Sequence, residues 1–115
     1  MKYENKLGRI EIANDVFCAI AGYAATLSFG VKGMASAGLK DGIVRLINSD
    51  SMAKGVKAVM RDGRLHIELH IVVRHGVNLA AISRSMMEAV RYKVEELTGV
   101  VVDHVAVCID SILAD

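Results

Sequence analysis

Residues 64–74 alternate with a period of two. Leu65, Ile67, Leu69, Ile71 and Val73 fall on one side, and His66, Glu68, His70, Val72 and Arg74 on the other, which predicts a strand with one buried face. Val56–Arg61 reads as a partner strand, joined to it through Asp62-Gly63. Asp-Gly is a hairpin signal because a type I′ turn needs positive φ at both central residues. After His75-Gly76 the period becomes helical. Asn78 is placed to cap a helix over Leu79–Thr98, with Val77 and Ile82 at the staple positions around that cap. Ile82, Met86, Ala89, Val90, Val94 and Leu97 form its apolar stripe, and Arg84, Glu88, Arg91 and Glu95 face water. Gly99 ends the helix, and Val100–Ile109 reads as a last strand.

The first half is less regular. Gly8-Arg9-Ile10-Glu11-Ile12 alternates like a short strand, and Asn14 or Asp15 offers an N-cap for a helix over 14–28. Val16, Ile20, Tyr23 and Leu27 recur on it at helical spacing, while Cys18, Ala21, Gly22 and Ala25 form a small-residue side that a neighbour can approach closely. Gly30-Val31-Lys32-Gly33 reads as the turn that ends it. Leu39, Ile43, Leu46 and Ile47 suggest a short helix over 39–48. Each main helix has one apolar stripe, so the expected fold is α+β: a two-layer sandwich, one mixed or antiparallel sheet with two main helices on one face. No repeat or linker divides residues 1–115, so one domain is expected. The second sheet face is then open. It would carry Lys57, Val59, Arg61, residues 66–74 of the even set, Val102, His104, Ala106, Cys108 and Asp110.

Composition narrows the function classes. In 115 residues, 53% are hydrophobic and 23% charged, which excludes a disordered chain. Proline and tryptophan are absent and aromatics amount to 4%, so aliphatic residues and methionine must build the core. A net charge of +1 gives no electrostatic footprint for nucleic acid or an anionic membrane. The longest uncharged stretch, Val16–Val31, is shorter than the roughly 20 residues of a bilayer span. Upstream of it Glu4, Glu11 and Asp15 balance Lys2, Lys6 and Arg9, unlike a secretory signal. Cys18 and Cys108 form no CxxC and read as small buried hydrophobes in a reducing, cytoplasmic setting. The mean hydropathy of +0.38 exceeds what a small monomer needs, and points to surface hidden in a partner.

Three constellations carry possible chemistry. His66-x-Glu68-x-His70 sets two imidazoles and a carboxylate on one strand face, about 6.6–7 Å apart between neighbours, so adjacent pairs could share a metal. His104 or Cys108 could join them if the last strand pairs alongside. A solvated polar sheet face is the preferred explanation of His66, Glu68, His70 and His104, and no metal or cofactor is expected. Gly30-Val31-Lys32-Gly33 has the form of a KH-domain clamp on a nucleic-acid backbone, but no helix follows it directly. There is no P-loop, nucleophile elbow or paired carboxylate spacing, and Ser83 and Ser85 are ordinary helix-surface serines, so no catalytic residue is nominated.

Taken together, Gly8-Arg9-Ile10-Glu11-Ile12, Val16, Ile20-Ala21, Ala24-Ala25 and Gly30-Val31-Lys32-Gly33-Met34 resemble the opening of the alkaline shock protein family, envelope stress response proteins of Gram-positive bacteria. Lys54-Gly55-Val56-Lys57, Val72-Val73-Arg74-His75-Gly76, Met86, Val90, Val94, Leu97-Thr98-Gly99-Val100 and the Val102–Ile109 strand continue the likeness along nearly the whole chain. The short length is closest to the YloU-like members. Arg74-His75 and Asp110-Ser111-Ile112 depart from the family pattern. The resemblance implies a non-enzymatic cytoplasmic protein of envelope homeostasis. Such a protein self-assembles or sits beneath the membrane through a membrane-protein partner; for short members an accessory role beside a fatty-acid-phosphorylating system is implied. It carries over no catalytic residue. The expected interaction surface is the open sheet face: Val59, His66, Glu68, His70, Val72, Arg74, His104 and Ala106. A metal-binding module at His66, Glu68 and His70 and a KH-like module at 30–33 are the alternatives.

Overall fold

The computed structural model describes residues 2–28, 31–35, 46–47 and 55–114. In chain order the elements are β1 (Lys2–Asn5), β2 (Gly8–Glu11), α1 (Asn14–Thr26), β3 (Val31–Ala35), β4 (Leu46–Ile47), β5 (Val56–Arg61), β6 (Arg64–Arg74), α2 (Leu79–Thr98) and β7 (Val102–Leu113). The architecture is α+β. β6 is the hub of a mixed sheet. β5 pairs antiparallel with its first half, from Arg61↔Arg64 to Val56↔Leu69, and β3 pairs antiparallel with Ile71, Val72 and Val73. β7 runs parallel to β6 from Leu65 to Arg74. Because β7 overlaps both other partners, it occupies the opposite edge of β6. β4 extends the sheet beyond β3 through Met34↔Ile47 and Ala35↔Leu46.

The β5–β6 hairpin and α2 form as the sequence pattern predicts. Asp62 (φ 51°) and Gly63 (φ 74°) supply the two positive φ angles of the tight turn. The Asn78 side chain accepts a hydrogen bond from the Ala81 N–H at 3.0 Å, satisfying an otherwise orphaned donor of α2. Gly99 is left-handed (φ 74°) and returns its N–H to the Glu95 carbonyl at 2.9 Å. The Glu95 carboxylate then accepts from the Val102 N–H at 2.8 Å, tying the end of α2 to the start of β7. The buried stripe of α2 is narrower than expected: Ile82, Met86, Val90 and Val94 are buried, whereas Ala89 and Leu97 are exposed.

Elsewhere the structure corrects the sequence reading. α1 starts after Ala13, with no side-chain cap, so neither Asn14 nor Asp15 is the N-cap. Its inward side also differs: of the expected stripe Val16, Ile20, Tyr23 and Leu27, only Ile20 packs against the core. Phe17, Cys18, Ala21, Gly22, Ala24 and Ala25 face inward, and Val16, Tyr23 and Leu27 are 44%, 50% and 67% exposed. Small side chains let a helix axis approach its neighbours closely, and close approach brings the one large inward residue, Phe17, to 1% exposure. Residues 31–35 form a strand rather than a turn, and 46–47 a strand rather than part of a helix. The rest of the expected 39–48 helix lies outside the described residues. Before β2 comes a strand not anticipated, β1. The two make a separate hairpin whose turn is held by Asn5 Oδ1, which accepts from the Leu7 and Gly8 N–H groups at 2.8 and 3.2 Å.

Both helices pack on the odd face of β6. Leu65, Ile67, Leu69, Ile71 and Val73 are 2% exposed or less, and join Phe17, Ala21, Ala25, Val56, Ala58, Met86, Val90, Val94, Val102 and Val105 in one core cluster. The place of Val102 in that core corrects its expected position on the open face. The cause is a one-residue register shift: Leu65 pairs with Val102 but His66 with His104, leaving Asp103 as an extra residue in β7. A second shift, between Ile71↔Ile109 and Val72↔Ser111, makes Asp110 extra in the same way.

Met86→Ala is expected to cost about 2–5 kcal/mol, because it empties a fully buried site. Ala21→Met should cost about 1–3 kcal/mol by overpacking the inner side of α1, whereas Tyr23→Ala should stay within about 1 kcal/mol. Urea unfolding of the three variants checks the orientation of α1; a larger loss for Tyr23→Ala than for Ala21→Met would contradict it.

Candidate functional site

The even face of β6 carries the polar residues singled out from the sequence, in rows set by register. Val59, His66 and His104 stand across β5, β6 and β7; Lys57, Glu68 and Ala106 form the next row; His70 is paired with Cys108. Lys57, Val59, Arg61, His66, Glu68 and His104 line a shallow depression of about 280 Å³. Val59 is 47% exposed, and Arg74 and His104 are exposed at their ends of the sheet. Val72 is the exception. It is 1% exposed, covered within the chain, and so is not part of an available surface. The Gly30–Gly33 clamp is corrected as well: Val31, Lys32 and Gly33 lie in strand β3 rather than in a loop, and Gly30 lies outside the described residues.

The two extra aspartates of β7 serve the two histidines of β6. Asp103 lies 3.4 Å from both the His66 Nε2 and the Arg64 guanidinium. Asp110 sets its carboxylate oxygens 3.2 and 3.1 Å from His70 Nδ1. The other ring nitrogen of His70, Nε2, lies 3.1 Å from the Glu68 carboxylate, which also has Lys57 Nζ at 3.9 Å. The His70 side chain is only 16% exposed, so both ring nitrogens are held in a partly desolvated setting. Burial, with Glu68 and Asp110 nearby, pushes the Cys108 thiol above its ordinary range despite Lys57. One ligand atom each of Glu68, His70 and Cys108 falls within 4.8 Å of the others. The expected set of His66, Glu68, His70 and His104 is therefore redrawn: Glu68 and His70 come together with Cys108 and Asp110, and His66 pairs off with Asp103.

A second feature lies on the helix layer, where the sequence reading had placed core. Tyr23, Ala24, Leu27, Ser28, Ser85, Ala89, Tyr92 and Lys93 line a groove of about 380 Å³ between α1 and α2. Tyr92 and Leu27 are each 67% exposed. Hydrogen bonding and charge between the neighbouring Tyr92 hydroxyl and Glu96 carboxylate hold the phenol above its usual range and the carboxyl below its own, with Lys93 adding to the latter. The signal for this groove was the competing i, i+4, i+7, i+8 series Phe17, Ala21, Ala24 and Ala25, whose small residues mark the inner side of α1. Cys18, inside the core, has its thiol raised by burial and by Asp15 and lies 3.6 Å from the Val56 carbonyl.

Comparison with known proteins places these features in a family. Residues 2–114 match the alkaline shock protein 23 family, of cell envelope-related function. The chain is 33% identical over 113 residues to the uncharacterised protein Spy1614 of Streptococcus pyogenes, covering 97% of this chain and 93% of that one. It is 28% identical over 113 residues to the uncharacterised protein YloU of Bacillus subtilis, covering 97% and 94%. To YqhY of the same organism, also uncharacterised, it is 30% identical over 112 residues, covering 97% and 82%. No solved structure matches it.

The Tyr92–Glu96 pair gives a pH dependence of definite sign. The carboxylate stabilises the protonated phenol, so Glu96→Gln should bring the Tyr92 titration to lower pH than in the parent chain. Ring resonances followed by NMR through the alkaline range report it; an unmoved midpoint would show that the bond does not form in solution.

Proposed function

Because this chain belongs to the alkaline shock protein 23 family, whose function is cell envelope-related, we propose that it is a non-enzymatic cytoplasmic interaction domain. In this reading it serves envelope homeostasis or stress response by self-association or by docking a membrane-linked protein. The observation that carries the reading is the groove between α1 and α2, where Tyr23, Leu27 and Tyr92 stand outward at half exposure or more. Tyrosines set beside apolar side chains are the composition of interface hot spots, since they bury large area at small conformational cost. Val16 and Leu97, 44% and 59% exposed on the same two helices, add to the apolar surface of that layer.

No helix among the described residues is long and apolar enough to cross a membrane, and the proposal gives contact with the envelope to a protein partner. The small-residue side of α1, which the sequence offers to a close neighbour, is consumed in the core and has no part in it. The open sheet face, with Val59, His66, Glu68, His70, Arg74, His104 and Ala106, is proposed as a second contact surface. Its charged groups pair largely with one another.

Light scattering on a size-exclusion column at high micromolar concentration tests self-association, and capture from solubilised envelope fractions tests the partner. A mass above one chain, or a captured membrane protein, should be lost on Tyr23→Glu with Tyr92→Glu while the far-ultraviolet spectrum stays unchanged. A strict monomer that captures nothing, or an assembly indifferent to both substitutions, would overturn the proposal.

A further inference from the structure

We propose that Glu68, His70 and Cys108 form a binding site for one divalent transition-metal ion of borderline softness, zinc foremost, on the open face of the sheet, with Asp110 orienting His70. One ligand atom from each of the three lies within 4.8 Å of the others. Register makes this so: Glu68 and His70 are two apart on β6, and Cys108 is the β7 partner of His70. In a tetrahedral zinc site with bonds of about 2.0–2.3 Å, neighbouring ligand atoms stand roughly 3.3–3.7 Å apart. The His70–Glu68 contact of 3.1 Å is already near that edge, and Cys108 closes the set by turning its side chain.

The donor set selects the ion. A thiolate, an imidazole and a carboxylate suit zinc and its first-row neighbours, whereas magnesium and calcium require oxygen. A second observation independent of the three ligands supports the assignment. The Asp110 carboxylate meets His70 Nδ1 at 3.1 and 3.2 Å. It is the arrangement by which metal-bound histidines are held, one nitrogen donating to a carboxylate and the other, here the Nε2 that faces Glu68, turned to the ion. Asp110 is the extra residue of a register shift, and such irregularities re-aim side chains at sites. The matching shift at Asp103 sets a carboxylate oxygen 3.4 Å from Nε2 of His66, whose β7 register partner is His104.

Charges and protons balance. The ion takes the Nε2 lone pair of His70, one oxygen of ionised Glu68 and the sulfur of Cys108, whose proton passes to water. A divalent ion with two anionic ligands is neutral, Lys57 lies 3.9 Å from Glu68, and Asp110 keeps its contact with His70 Nδ1. Glu68 is 42% exposed, so a fourth position opens to solvent for water or for a donor from a bound partner.

The test uses the full chain incubated with zinc chloride, desalted, and assayed for metal by mass spectrometry. About one equivalent should remain, and cobalt in its place should give a thiolate-to-cobalt charge-transfer band. Cys108→Ser should abolish that band, His70→Gln should weaken binding more than tenfold, and Asp110→Asn should weaken it about 10–100-fold. Cys18→Ala should leave binding and band intact. Should a variant fail to fold, zinc protection of Cys108 against alkylation in the parent chain reads the same site. Less than a tenth of an equivalent retained, no charge-transfer band, or binding that survives Cys108→Ser would overturn the site. None of these outcomes bears on self-association, which is read separately.

Discussion

Strand β6 is the constraint on which the rest depends. Three strands pair directly with its eleven residues, two sharing one edge end to end and the third running parallel along the other. Pairing in both directions around one strand forces α2 into existence as a crossover, since a parallel neighbour cannot be reached by a tight turn. The same strand separates two chemistries by alternation alone. Its odd residues are the centre of the apolar core, and its even residues are the floor of the polar face. A slip of one residue would exchange the two sets, burying His66, Glu68 and His70, so register is enforced by the cost of burying those groups without partners.

What could be read from the residues alone was whatever depended on near neighbours. The β5–β6 hairpin rests on Asp62-Gly63, and the limits of α2 rest on Asn78 and Gly99; each is a local backbone requirement met by particular side chains. α1 forms where its periodicity predicts, but its inward side differs for a reason that is also physical. Val16, Tyr23 and Leu27 and the series Phe17, Ala21, Ala24 and Ala25 both have helical spacing, and hydrophobicity favours the first. The contest is decided by how closely α2 and the sheet approach, which only the assembled fold determines. β1, β3 and β4 are short, and their pairing energy comes from partners far along the chain, so periodicity could not reveal them.

The candidate metal site shows the same division. Glu68 and His70 were visible as a two-residue spacing on one strand, and the shared face followed from alternation. Cys108 could be named only on the condition that the last strand pairs alongside, and the contact of Asp110 with His70 was not visible, because both depend on the parallel register of β7 and on its shifts. Those shifts also moved Val102 into the core. One extra residue thus does two things at once: it keeps an apolar side chain on the helix side of the sheet, and it brings a carboxylate to a histidine on the other side.

The two faces of the sandwich consequently differ in what they can offer a partner. The helix layer presents Tyr23, Leu27 and Tyr92, whose association would be governed by apolar burial and little affected by pH or ions near neutrality. The sheet face presents charged and imidazole groups already engaged with one another, so a partner there must replace those bonds or add to them. Val72 sharpens the contrast, because the side chain that would have made the sheet face sticky is covered within the chain. Exposed apolar side chains and paired polar groups thus lie on opposite sides of one small core, and in the proposed reading each side meets a partner by a different chemistry.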